Sequence, residues 1–155
     1  MGKIKILFIC HGNICRSPMA EFILKDMVHK RGCEEKFLIA SAATSTEEIW
    51  NGRGNPVYPA ARMELAKHGI DCEGKCAVQV TKADYDKYDN FVCMESKNVR
   101  DLMRILGNDH QNKICKLLDF TERGGDIPDP WYSGRFEETY RDIVMGCEAL
   151  LKKLL

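Results

Sequence analysis

The chain has 155 residues, 45% of them hydrophobic, with 23 basic against 23 acidic side chains and a formal net charge of zero. That length suits one domain over residues 1–155 with a substantial core. The balanced charge gives no support to a nucleic-acid or membrane partner, so any anion binding must be local.

In chain order, an apolar run over residues 5–9 predicts a first strand central in a parallel sheet. Ser17-Pro18 opens a helix in which Ala20, Ile23, Leu24 and Met27 recur at helical spacing until Lys30-Arg31-Gly32 ends it. A second strand is expected over 37–42, then a long polar loop over 43–59 carrying Trp50, Gly52, Gly54 and Pro56. Loops this long inside a compact domain are usually functional. Residues 60–68 form a helix stopped by Gly69, and 77–80 a short extended piece. Thr81 to Asp84 caps a helical turn, 90–94 is a buried strand, and 96–106 is a helix closed by Gly107. The last strand is expected over 113–117, and an irregular stretch over 118–134 precedes a final helix. On that helix Tyr140, Ile143, Val144, Cys147, Leu150, Leu151 and Leu154 make one apolar stripe. Strands alternating with helices predict an α/β fold: a doubly wound parallel sheet of about four strands flanked by helices.

The junction of the first strand and first helix carries the chemistry. The strand stops at Cys10, and His11-Gly12-Asn13-Ile14-Cys15 leads through Arg16 and Ser17 into the helix. The first turn of a helix leaves backbone N–H groups without partners and adds partial positive charge, so a loop entering it cradles an oxyanion. Gly12 and Asn13 tolerate the left-handed backbone that turns N–H groups inward. Arg16 supplies a planar fork for two phosphate oxygens. A cysteine in such a field is activated as a thiolate, which makes Cys10 the expected nucleophile.

Cys10-His11-Gly12-Asn13-Ile14-Cys15-Arg16-Ser17-Pro18, directly after a strand near the N-terminus, resembles the signature of the low-molecular-weight protein tyrosine phosphatases. The resemblance runs in order through Ser41, Trp50, His68 and Asp129-Pro130-Trp131-Tyr132 to the final helix. It implies a phosphatase of phosphotyrosine and aryl phosphates working through a phosphocysteine. In that scheme Cys10 is the nucleophile, Arg16 holds the phosphoryl oxygens, and Asp129 is the general acid, aimed by Pro130. His11, Gly12, Asn13, Ile14, Cys15 and Ser17 surround the substrate phosphate, while Trp50, Trp131 and Tyr132 wall the cleft. The resemblance also implies that Ser41 and His68 form a hydrogen-bond network with Asn13. It further implies that Cys15 pairs reversibly with Cys10 in a disulfide, so that the site is redox-sensitive. Asp126 is the fallback acid. His11 departs from the apolar residue many relatives carry there.

Eight cysteines in a chain without a secretory segment are read as free thiols in a reducing compartment, and no run of about eighteen apolar residues marks a membrane span. A cytoplasmic monomer is therefore expected. Cys72 and Cys76 are half a metal site with nothing to complete it, so neither metal nor cofactor is expected. The expected partners are a phosphotyrosine-containing protein and a tyrosine kinase. Two other readings of the Cys10 loop are a thioredoxin-coupled arsenate reductase, with Cys72 and Cys76 as its relay, and a phosphocysteine carrier or phosphopeptide-binding module that needs no acid.

Overall fold

The computed structural model describes residues 2–155; residue 1 of the expected domain lies outside them. Four parallel strands form the central sheet: β1 (Ile4–Cys10), β2 (Phe37–Ala43), β5 (Asn90–Cys93) and β6 (Ile114–Lys116), in the spatial order β2-β1-β5-β6. Order reverses at β1, so the crevice at its C-terminal end is where a doubly wound sheet binds its ligand.

Alternation along β1 builds two cores. Ile6, Phe8 and Cys10 face one layer, with Met19, Ala20, Ile23 and Leu24 of α1 (Arg16–Lys30) and Ile143, Cys147, Leu150 and Leu151 of α6 (Phe136–Leu154). Leu7 and Ile9 face the other, with Tyr85 of α3 (Asp84–Lys87) and Leu102 and Leu106 of α4 (Ser96–Leu106). Every one of these side chains is buried, each worth about 1.5–3 kcal/mol for the larger apolar groups. The stripe read from the last helix is the face that packs: Tyr140, Val144 and Leu154 join the first core as partly buried members.

The expected elements differ from the structure mainly where they are short. Residues 43–59 are not all loop: β3 (Ile49–Trp50) and β4 (Arg53–Gly54) pair antiparallel across Asn51 and Gly52, both at positive φ (50° and 76°), the backbone of a tight hairpin. At Gly54 a Cβ would sit 1.8 Å from the carbonyl oxygen of Ala77, so only glycine lets this hairpin touch the chain behind it. Residues 77–80 run beside β2 through one isolated bridge, Ala43 to Gln79. The last strand is shorter than expected because Leu117–Phe120 winds into a 3-10 turn. Two further helices, α2 (Pro59–Lys67) and α5 (Pro130–Ser133), complete the chain.

Candidate active site

β1 delivers Cys10 to the sheet edge, and α1 begins six residues later at Arg16. Cys15 stands at the N-cap without a side-chain cap, which leaves the first-turn N–H groups free to point into the loop. The N–H groups of Asn13 in the loop and of Ser17 in the first turn are aimed at Cys10 Sγ, at 3.3 and 3.4 Å, and Ser17 Oγ lies 2.9 Å from the same sulfur. Asn13 holds a φ of 60°, the left-handed conformation the loop needs.

A network of buried polar groups lies beneath. Asn13 Nδ2 donates to Ser17 Oγ (2.7 Å) and to Ser41 Oγ (3.0 Å), and its Oδ1 accepts from Val78 N (3.1 Å). Ser41 Oγ donates to Glu21 Oε1 at 2.6 Å, and Lys75 Nζ donates to the Ser41 carbonyl at 2.9 Å and stands 3.8 Å from Glu21. Asn13, Ser17, Ser41 and Glu21 are all buried. His68 has no part in this. Its Nε2 is 3.2 Å from Glu64, and its ring stacks on Tyr140 with centroids 3.7 Å apart, so it belongs to the α2–α6 contact. Lys75 and Glu21 stand in the network where the sequence reading expected His68.

Arg16 is 2% exposed. Nη1 donates to Glu95 and to the Ile127 carbonyl (2.9 Å), and Nη2 is 3.4 Å from Asp129 Oδ2. Burial opposes its charge, but Cys10, Asp129 and Glu95 outweigh that and hold its proton more tightly than usual. Asp129 caps α5, its Oδ1 accepting from Trp131 N at 3.0 Å. Asp126, the fallback, is turned elsewhere: Oδ1 accepts from Ser96 N (3.1 Å) and Lys116 Nζ (2.9 Å).

Cys10, Arg16 and Asp129 open into one cleft of about 140 Å³, floored by the loop residues His11, Gly12, Ile14 and Cys15 and walled by Trp131 and Tyr132. Two expected substrate contacts, Asn13 and Ser17, lie under the loop rather than on the cleft surface. Trp50 is a third departure: it sits on the β3–β4 hairpin, 79% exposed, and lines no part of the cleft. In its place stand Glu47 and Glu48, which the sequence reading passed over. Glu47 Oε2 is 2.9 Å from His11 Nε2, and the backbone N–H groups of Thr44 and Ser45 donate to the Cys10 and His11 carbonyls, both at 3.0 Å. This wall is thereby fastened to the loop that follows β1. Glu95 was also missed; its signal was its place just after β5, beside the end of β1. Cys10 and Cys15 are free thiols, and burial, with Cys10 nearby, pushes the Cys15 thiol far up. Cys72 is buried and Cys76 exposed, and neither lines the cleft.

A thiol, a guanidinium and a carboxylate gathered over one helix N-terminus, at the switch point of a parallel sheet, are the features of a cysteine-dependent phosphatase. Residues 5–155 match the family model of low molecular weight phosphotyrosine protein phosphatases. The chain is 39% identical over 153 residues to the low molecular weight protein-tyrosine-phosphatase YfkJ of Bacillus subtilis, covering 97% of this chain and 96% of the relative. It is 40% identical over 161 residues to the low molecular weight phosphotyrosine protein phosphatase of Gallus gallus, covering 98% of this chain and 97% of the relative. The crystal structure of Bacillus subtilis YfkJ superposes with a TM-score of 0.92 at 38% identity, over 99% of this chain and 96% of that one. The chain belongs to the low molecular weight phosphotyrosine protein phosphatase family, and it is a protein tyrosine phosphatase.

Proposed function

We propose that this phosphatase hydrolyses phosphotyrosine in proteins, and aryl phosphates, in two displacements at Cys10. Cys10 Sγ attacks phosphorus in line with the tyrosyl oxygen; the S–P bond forms as the P–O bond breaks, and Asp129 gives its proton to the departing phenolic oxygen. Water then attacks the phosphocysteine, Asp129 takes its proton, and the S–P bond breaks to release inorganic phosphate. Arg16 and the loop N–H groups hold the equatorial oxygens throughout. The observation that supports this reading is the single cleft shared by Cys10, Arg16 and Asp129, with Ser17 Oγ and two N–H groups turned toward the sulfur. Trp131 and Tyr132, 52% and 86% exposed, offer the phenol ring its walls.

Placement of Cys15 on the same loop supports a redox safeguard. Peroxide oxidises Cys10 to a sulfenic acid, which Cys15 attacks to give a disulfide and water. On this reading the enzyme acts as a cytoplasmic monomer on phosphoproteins, a tyrosine kinase among them; no helix among the described residues is long and apolar enough to cross a membrane. The relatives named above favour the phosphatase over the arsenate-reductase and carrier readings.

Steady-state hydrolysis of para-nitrophenyl phosphate near pH 6 with chelator present tests the proposal. Turnover that resists chelator is abolished in Cys10→Ser and lowered about 100- to 10,000-fold in Asp129→Ala. Full activity in either variant refutes the role assigned to it.

A further inference from the structure

The cleft above Cys10 does not end at its aromatic wall. Ile14, Glu48 and Trp131 also line a second, shallower cleft of about 230 Å³. Its remaining surface is apolar, from Pro56, Val57, Tyr58 and Pro59, with Asn55 and Arg62 at the polar edge.

This wall is firmly built. The Tyr58 ring packs against Trp131 with centroids 4.7 Å apart and against Phe136 at 5.9 Å, and Tyr58 N donates to the Ile14 carbonyl at 2.8 Å. Val57 is buried beneath it. The two charges of this cleft stand at different places. Glu48, on the wall shared with the first cleft, accepts from Asn55 Nδ2 at 2.9 Å and keeps its charge, whereas the exposed Arg62 guanidinium at the outer edge has no hydrogen-bond or ion-pair partner among the described residues. The second cleft thus offers an apolar trough with an unpaired cation at its edge. On the phosphate-loop side of the mouth, by contrast, Glu47 is paired with His11.

A phosphotyrosyl side chain seated over Cys10 draws its own polypeptide across the rim, so neighbouring residues must rest on the surfaces that border the cleft. The geometry points to the second cleft as a substrate subsite, taking an apolar side chain next to the phosphotyrosine and a carboxylate one position further out, at Arg62. This rests on the reading that phosphotyrosine binds over Cys10. The three shared walls support it, since they make the two clefts one continuous surface. Trp131 is then two-sided: one part of its ring faces the phenol and another faces the flanking residue. A partly enclosed apolar side chain raises kcat/KM by roughly three- to ten-fold over a serine. An exposed charge pair adds roughly two- to five-fold at low salt, less as salt rises.

The test uses synthetic phosphotyrosyl peptides of one length, with Leu or Ser at both positions flanking the phosphotyrosine and Asp or Lys at the next position on both sides. They are assayed with the unmodified protein and with Arg62→Glu, and para-nitrophenyl phosphate serves as the common control. The subsite requires that Leu peptides exceed Ser peptides in kcat/KM, that Asp exceed Lys, and that Arg62→Glu reverse the charge preference while hydrolysing the control at the unmodified rate. Equal kcat/KM for Leu and Ser peptides overturns the subsite, and so does an Asp preference that survives Arg62→Glu. Failure of the unmodified protein to hydrolyse the control is a different result: it removes the Cys10 mechanism beneath the subsite.

Discussion

The backbone N–H of Val78 donates to Oδ1 of Asn13 over 3.1 Å, and this bond sets the sense of the hydrogen bonds that the Asn13 amide makes behind Cys10. A backbone N–H can only donate, so the Asn13 oxygen must face Val78 and its NH₂ must face the two serines. Ser17 and Ser41 therefore accept from Asn13. Each keeps one hydroxyl hydrogen: Ser41 gives its own to Glu21, and Ser17 has one to turn to Cys10 Sγ whenever that sulfur is a thiolate. Asn13→Asp keeps the Val78 bond and the size of the side chain but cannot donate to the serines. It is expected to lower kcat for an aryl phosphate about 10- to 100-fold, the loss of one or two buried hydrogen bonds, while the protein stays folded by circular dichroism. Steady-state kinetics beside the unmodified protein checks this.

Lys75 anchors the other end of that network. Replacing it with Met removes the donor to the Ser41 carbonyl and one of the two cations near Glu21. Breaking a buried ion pair outright costs about 3–5 kcal/mol. Because Lys25 Nζ remains 2.6 Å from Glu21, Lys75→Met is expected to cost less, about 1–2 kcal/mol. Urea unfolding measures the loss, and kcat should fall with it. Lys75→Arg restores a cation and is expected to recover most of both.

Two carboxylates three residues apart should behave oppositely. Asp126 is spent on Ser96 and Lys116, and those hydrogen bonds overcome partial burial to hold its carboxyl below the ordinary range, so it keeps no proton to give near neutral pH. Asp126→Asn is expected to stay within about two- to three-fold of the unmodified kcat. Asp129→Asn, at the cleft, is expected to lose at least about 100-fold. Parallel assays of the two variants decide which loop carboxylate is the acid.

Asp109 makes stability depend on acid pH. It accepts from the Tyr85 hydroxyl (2.6 Å) and from the N–H groups of Lys113 (2.7 Å) and Ile114 (3.1 Å). Partial burial opposes its ionisation, yet these donors win and hold its carboxyl below the usual value. A depressed carboxylate adds stability above its unfolded value near ~3.9, and that stability is lost as the pH falls through the lower folded value. Asp109→Asn is therefore expected to lower the urea midpoint at pH 7. It should also flatten the decline of the midpoint below about pH 4, measured by unfolding across pH 3 to 7.

Long elements and the course of the loop from Cys10 to Arg16 were legible in the sequence because each carries its own local signal. The β1 apolar run, the Gly107 stop of α4 (φ 79°) and the α6 stripe state their structure within a few residues. The β3–β4 hairpin was not legible, since two-residue strands have no period and depend on Gly54 meeting Ala77 across the chain. His68 misled for a similar reason. Its partners, Glu64 and Tyr140, come one from its own helix end and one from α6, and nothing near it in sequence names the second. Glu95 and Lys75 were missed because a charged residue reads as solvated surface until the fold shows it turned inward to Arg16 or Ser41.

Because Ile6, Phe8 and Cys10 share one face of β1 and Leu7 and Ile9 the other, the aim of the Cys10 thiol is a matter of parity. Deleting any single residue between positions 4 and 9 would leave the strand apolar but set its remaining core side chains and the thiol on opposite parities, so that one or the other must face the wrong layer. Two deletions would restore the parity but shorten the strand's reach toward the helix end by roughly 6–7 Å. The apolar residues of β1 thus act as a ruler with two marks, one for direction and one for distance, and the sulfur of Cys10 is placed by counting as much as by the polar groups that touch it.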